Sequence, residues 1–231
     1  MAETAPLRPV SRPRLYEQVA QQILAWVRDT DLKAGDRLPP ERDLAARLGV
    51  SRATVSQALV AMEVVGIVHV RHGDGAVLVD SSGSSRLVDA LRRHAQQLPD
   101  IIDAREALES KLAALAAVRR TEEDLARIDA ALADMERDIE AGGRGVDGDE
   151  SFHGAVTLAG HSPLLHKLMS EISDLIRETR IESLSQPGRP RESLEGHRTI
   201  ADAIRDRDPD AAAAAMRAHV DKVSDVALLR D

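Results

Sequence analysis

Four side chains in the second half of this sequence could hold a metal ion: Asp149, His153, His197 and His219. Asp149 and His153 stand four apart in DESFHGAV, so a helix through that segment puts both on one face. His197 lies in LEGHRTIADAI and His219 in MRAHV, both in stretches of helical spacing. Three imidazoles and one carboxylate make a nitrogen and oxygen donor set that suits zinc, with nickel or manganese as alternatives. Such a set leaves exchangeable positions for water or a ligand. Spacing alone leaves the opposite reading open, because the chain has 8 histidines and histidines on helices also decorate ordinary surfaces. His69, His94, His161 and His166 show no comparable partner in sequence and are read as structural.

A second constellation occupies residues 38–79, LPPERDLAARLGVSRATVSQALVAMEVVGIVHVRHGDGAVLV. It reads as two short helices, a tight turn, a third helix and a glycine-containing β-hairpin, the order of a winged helix-turn-helix. Leu44 and Leu48 recur at helical spacing after Pro39 and Pro40, which sit where a first turn tolerates them. Gly49-Val50 ends that helix, and Ser51 is placed to cap the next one by accepting backbone N–H bonds. Val55, Leu59 and Met62 form one apolar stripe, leaving Arg52, Ala53, Ser56 and Gln57 outward. Small, polar and cationic residues near an exposed helix N-terminus fit the DNA major groove. Val68 and Val70 then alternate with His69 and Arg71, HGDGA turns the chain, and residues 77–79 return it. Arg71, His72, Gly73 and Gly75 would form a wing tip that brings cationic and backbone groups near a phosphate or the minor groove. A helical hairpin with an ordinary solvated face is the plainer alternative, and the wing argues against it.

Composition limits the rest. Hydrophobic residues make up 43% of the chain, with one Trp, one Tyr and one Phe, so cores must be built from Leu, Val, Ile and Ala. That favours helix packed on helix. The absence of cysteine excludes disulfides, thiolate metal ligands and cysteine nucleophiles. No apolar run approaches the ~20 residues needed to span a bilayer. MAETAPLRPVSRPR lacks the apolar core of a signal peptide, so residues 1–13 read as a flexible arm and the expected compartment is cytoplasmic. Residues 1–80 carry 10 Lys+Arg and 10 Asp+Glu and are neutral, so residues 81–231, with 21 and 29, hold the whole excess of −8. DNA binding by a neutral domain must rest on a local cationic face and few phosphate contacts. The acidic half needs another role.

The elements expected to position these residues are mainly helical. Residues 14–80 form the winged helix-turn-helix, residues 81–85 a polar linker within VDSSGSS, and residues 86–231 an all-helical bundle. Periodicity predicts helices at roughly 86–97, 100–119, 121–141, 148–160, 163–184, 190–206 and 208–229. Residues 142–148, GGRGVDG, read as a flexible loop; with no strand before them they are a poor phosphate cradle.

The first half resembles the N-terminal domain of the GntR family of bacterial transcription regulators. The matching residues are Pro39, Glu41 and Arg42 of a PxER start, GVSRATV at the turn and recognition helix, and GIVHVRHGDG at the wing. The resemblance implies that Arg42 and Arg52 contact DNA, that Thr54 supports phosphate contacts and that His72 and Gly73 belong to the wing contact. Ser51 and Ser56 complete the candidate DNA-contact set. The family commonly has a further arginine where Ser56 stands, and Thr and an aromatic residue where Ala76 and Val77 stand.

The second half resembles the FCD-type effector domain of the FadR branch, through DAREALESKLAALAA, the DxxFH motif at 149–153, EGHRTIADAIRDRD and AAAAMRAHV. This likeness implies that Asp149, His153, His197 and His219 bind a divalent metal in the bundle's centre, and that Arg105 helps to hold a carboxylate effector. Read from spacing instead, Arg105 is equally one half of an i,i+4 ion pair with Glu109, with Asp103 and Glu106 as further neutralising partners. His161 stands where the family commonly has Asn. Arg177 and Arg180 lie on a helix expected to line the pocket, with no role assigned.

The expected function is a ligand-responsive transcription regulator. A homodimer would bind a two-fold symmetric operator in double-stranded DNA, one recognition helix per half-site. A small carboxylate, such as a sugar acid or a short organic or hydroxy acid, would bind the metal and Arg105, and family likeness favours repression relieved by ligand. Two other functions compete. A helical metallohydrolase would use a metal-bound water, but no separate general base stands beside the four residues in sequence, and the winged domain would be idle. A constitutive DNA binder would use its helical half only to dimerise.

Overall fold

The computed structural model describes residues 15–30, 32–71, 75–79 and 87–224. Its first half consists of α1 (Leu15–Asp29), α2 (Glu41–Leu48), α3 (Arg52–Val64) and an antiparallel hairpin of β1 (Val68–Arg71) and β2 (Gly75–Leu78). Residues 38–79 therefore hold two helices, not three. The first of the three lies upstream in LYEQVAQQILAWVRD, where Val19, Ala20, Ile23, Leu24 and Val27 recur every three to four residues and are buried.

Local chemistry fixes the helix-turn-helix. Gly49 ends α2 in the left-handed region at φ 68°, a conformation that favours glycine. Ser51 then caps α3, accepting the Thr54 N–H at 3.1 Å. Val55, Leu59 and Met62 are buried as their stripe predicts, but so are Ala58, Val60, Ala61, Glu63 and Val64. One apolar stripe is too narrow a description, because α3 also packs against a helix of the second half. In the hairpin Val68 pairs with Leu78 and Val70 with Ala76. The wing-tip residues His72 and Gly73, the expected arm at 1–13 and the expected linker at 81–85 lie outside the described residues.

The second half is all-helical, as expected: α4 (Leu87–Arg119), α5 (Glu122–Glu140), α6 (Val146–Ala159), α7 (Pro163–Glu171), α8 (Ser173–Leu184), α9 (Arg189–Arg205) and α10 (Pro209–Ser224). Three boundaries differ from the periodicity. α4 continues through Pro99, where two helices were predicted. An internal proline costs about 3 kcal/mol, whereas burying an aliphatic side chain returns roughly 1.5–3 kcal/mol. Leu98, Ile101 and Ile102 are all buried around the exposed Pro99, so packing prevails. The single helix predicted at 163–184 instead breaks at Ile172, with φ −110° and ψ 7°. α6 begins two residues earlier than predicted, capped by Gly145 at φ 71°.

The main core of this half joins α4, α5, α6, α9 and α10 through Ala113, Ala116, Ile128, Phe152, Ile200 and Met216. Small residues let the helices approach closely: a Cβ on Gly148 would stand 2.6 Å from the Met135 Cα of α5. No described helix is long and apolar enough to cross a membrane.

Candidate metal centre

The bundle brings the four sequence-predicted donors to one point. α6 supplies Asp149 and His153, α9 supplies His197 and α10 supplies His219. One ligand atom from each lies within 4.8 Å of every other, and all four residues are buried. His197 Nε2 is 3.2 Å from His153 Nε2, 3.2 Å from His219 Nε2 and 3.4 Å from Asp149 Oδ1. Metal–nitrogen bonds of about 2.0–2.1 Å at tetrahedral or octahedral angles separate neighbouring ligand atoms by roughly 2.9–3.4 Å. His197 stands at that spacing from each of the other three, while His153 Nε2 and Asp149 Oδ2 are 3.9 Å apart. Phe152 stacks on the His197 ring, with centroids 4.1 Å apart. Gly196 makes room for the third imidazole, because a Cβ there would meet His219 Nδ1 at 2.9 Å.

Around the donors lies a shell that sequence reasoning largely missed. Glu109 of α4 sets Oε2 2.5 Å from His153 Nδ1, the outer contact that orients a ligating imidazole. Its other oxygen accepts Arg105 Nε at 2.9 Å, and Arg105 also donates to Thr179 Oγ1 at 3.2 Å. Arg105 thus forms the i,i+4 pair with Glu109, and that pair stands directly behind the histidines. Glu109 is also the carboxylate beside the cluster that the sequence did not make evident. Arg180 of α8 places Nε 2.7 Å from Asp149 Oδ2, and Ser193 donates to Asp149 Oδ1 at 3.1 Å. The Arg105–Glu109 spacing signalled one of these contacts; Arg180 was expected only to lie on a pocket-lining helix, because its partner Asp149 is far away in sequence.

Burial and charge set the protonation states. Burial holds the His197 imidazole well below its usual value, reinforced by His153 and Arg180. Burial does the same to His219, with His197 and His153 adding to it. Both rings are therefore neutral, as metal ligation requires. Burial alone would raise Glu109, but Arg105 and His153 more than reverse this and hold it well below the carboxylate range. Asp149 is likewise lowered, burial being outweighed by His153, Arg180, His219 and Arg105.

The candidate DNA-contact residues gather on the other half. Arg42 and Arg52 are exposed, Arg52 lying 3.8 Å from Glu41, and both line one cleft with Ser56. Ser51 Oγ and Thr54 Oγ1 are 2.8 Å apart at the start of α3. Two histidines read as lacking partners have them: His69 Nδ1 is 3.2 Å from Glu63, and His161 Nε2 is 2.8 Å from Asp124. The Asp124 partner was not legible because it lies 37 positions from His161; Glu63 is only six positions from His69, across the turn between α3 and β1.

Comparison with known proteins agrees with this architecture. Residues 15–78 match the model of bacterial regulatory proteins of the gntR family, and residues 100–222 match the FCD domain. The Uxu operon transcriptional regulator of Escherichia coli (strain K12) is 34% identical, over 92% of this chain and 86% of its own length. The HTH-type transcriptional regulator LutR of Bacillus subtilis (strain 168) is 35% identical, over 87% of this chain and 95% of its own. A solved structure of a Streptococcus agalactiae GntR protein is 27% identical, with a TM-score of 0.47 over 90% of this chain and 98% of its own. The chain belongs to the GntR family, in its FadR-like branch with an FCD second half, and is a DNA-binding transcription regulator rather than an enzyme.

Proposed function

We propose that this regulator senses a small carboxylate at a divalent metal held by Asp149, His153, His197 and His219. The observation that carries this reading is the convergence of those four buried donors, with Arg105 and Arg180 close behind them. Zinc suits the donor set best, with nickel or manganese as alternatives. The bound ion would supply a Lewis-acidic point to which a carboxylate oxygen can attach.

Charge balance supports an anionic ligand. Asp149 and Glu109 offset Arg105 and Arg180, and the imidazoles are neutral when they ligate. A divalent ion therefore adds an uncompensated +2 in a buried site, and an uncompensated buried charge is costly. A carboxylate relieves part of it, and in this reading Arg105 takes its second oxygen. Binding that favours one arrangement of the halves by a few kcal/mol is enough to alter DNA affinity.

On the DNA side, Arg42, Ser51, Arg52, Thr54 and Ser56, with the wing at His72 and Gly73, form the operator contact. A homodimer on a two-fold symmetric site matches the one recognition helix per chain. α7 packs on α4 and α6 yet leaves Leu164 and Leu168 exposed, an apolar face suited to a second copy. The protein acts in the cytoplasm, as a repressor released by its ligand. A thermal-shift screen of small carboxylates on metal-loaded protein tests the sensor reading. Stabilisation should appear only with metal present, vanish in Arg105→Ala, and coincide with release of bound operator DNA. Carboxylates that bind metal-free protein equally well would sink it.

A further inference from the structure

The glycine loop ahead of α6 reads in sequence as a flexible connector, yet its one cation is tied into the DNA-binding half. Arg144 Nη2 pairs with Glu63 Oε2 at 2.8 Å and donates to the Val70 carbonyl at 3.4 Å, while Nη1 donates to Ser185 Oγ at 2.7 Å. Glu63 stands at the end of recognition helix α3 and is 5% exposed. It also accepts the Val70 N–H at 2.8 Å. One guanidinium thus clamps the recognition helix, the wing strand and the end of α8 together. The loop is itself anchored, because Gly145 N–H donates to Asp138 at 2.7 Å. Glu63 is buried and Arg144 is half-buried, so losing the guanidinium would leave a buried carboxylate without its cation, a costly state that bears on how the two halves sit.

Two elements lead from this joint to the metal centre. α6 begins at Val146, two residues after Arg144, and carries Asp149 and His153. α8 grips α6 through Arg177, which pairs with Asp147 at 3.3 Å and with Glu150, and through Arg180 on Asp149. The residue after Arg180, Ile181, packs into the core of the DNA-binding half. A displacement of α6 against α8 at Asp149 is therefore felt at both ends of the joint.

The joint also determines what the DNA-reading face meets. Arg42, Arg52 and Ser56 line the same cleft, of about 1190 Å³, as Asp134, Asp138 and Asp147 of the helical half. Duplex DNA carries one negative charge per ~1.7 Å of axis. Phosphates brought to the arginines would face those three carboxylates.

We propose that the Arg144–Glu63 pair is an interdomain latch that holds the recognition helix toward the acidic side of the helical half, and that its release frees the winged half for DNA. This rests on α3 being the DNA-reading helix. The chain contains no cysteine, so Ala46→Cys on α2 and Ala133→Cys on α5, two exposed positions, accept a spin-label pair cleanly. Mixed with an excess of unlabelled chain, so that only labels on one chain report, the otherwise wild-type protein should give one narrow distance, and adding Arg144→Ala or Glu63→Gln should broaden or lengthen it. The duplex that wild-type protein selects from a random library should bind each unlatched variant more tightly, by roughly 5- to 150-fold, the usual span of coupling between sites. For Arg144→Ala this outcome is discriminating, since losing a cation near DNA would by charge alone weaken binding. Arg52→Ala is the control for the reading helix, lowering affinity without changing the distance. Distances unchanged in both latch variants overturn the latch. A changed distance with equal or weaker DNA affinity overturns its inhibitory sense.

Discussion

Glu109 Oε2 lies 2.5 Å from His153 Nδ1, while Nε2 of the same ring faces His197 Nε2 at 3.2 Å. One edge of the imidazole faces a carboxylate and the other faces the Asp149, His197 and His219 cluster. The carboxylate is in turn held by Arg105, so α4 contributes no donor of its own yet fixes the orientation of one.

Glu109→Gln should therefore weaken metal binding by roughly 10- to 100-fold, the usual effect of removing an outer-shell partner. Competition against a chelator of known affinity measures this directly. A wild-type constant would show that the contact does not orient the ring.

Metal should also stabilise the fold, because donors from α6, α9 and α10 meet only when these helices are packed. At a free metal concentration of 100 times Kd the gain is about 2.7 kcal/mol. Chelation should lower Tm in the wild type and do little in His197→Ala, and metal analysis should find about one ion per chain. Equal Tm with and without chelator would refute the centre.

Arg52 is exposed at the first position of α3 and engaged only distantly, at 3.8 Å from Glu41. Arg52→Ala should weaken operator binding by about 1–3 kcal/mol and relax the base preference it reads. Gel-shift titration on the selected duplex and on single-base variants decides the matter. Equal losses on every sequence would make Arg52 a phosphate contact only.

Asp124 provides a pH test away from the Asp149, His153, His197 and His219 cluster. Burial would raise its carboxyl, but the Thr121 backbone N–H, His161, the Thr121 hydroxyl and Arg127 outweigh this and hold it well below the usual range. A carboxylate whose pKa falls on folding contributes stability that is present above its unfolded value, about 3.9 for Asp. That stability is lost as pH falls below this value. Asp124→Asn should cost roughly 1–3 kcal/mol near neutrality, the range for hydrogen bonds to a charged group. The gap from wild type should shrink below about pH 4. Denaturant melts at several pH values test it, and a gap that stays constant into acid would contradict the mechanism.

What could be read from the sequence was what is local. Gly49 and Ser51 announce the turn and cap of α3 within a few residues of their effect, and Asp149 and His153 share a helix face by spacing alone. The missing pieces join positions far apart. Arg180 finds Asp149 across two helices, and Arg144 finds Glu63 81 positions away. The same remoteness hid the second buried side of α3, because its neighbour Ile181 belongs to α8. Pro99 misled for a related reason: its local cost is plain in sequence, while the packing of Leu98, Ile101 and Ile102 that overrides it is not.

The unbroken α4 carries a mechanical consequence. Its 33 residues make a shaft of about 50 Å, with Arg105 eighteen residues from the first, some ~27 Å along the axis. Both the spacing and the rotational phase between Leu87 and Arg105 are then set by residue count. One residue inserted between them would swing the start of the shaft by about 100° relative to the guanidinium. Length in this segment is thus a gear setting between the two halves, tolerant of substitutions on its exposed side but not of insertions or deletions.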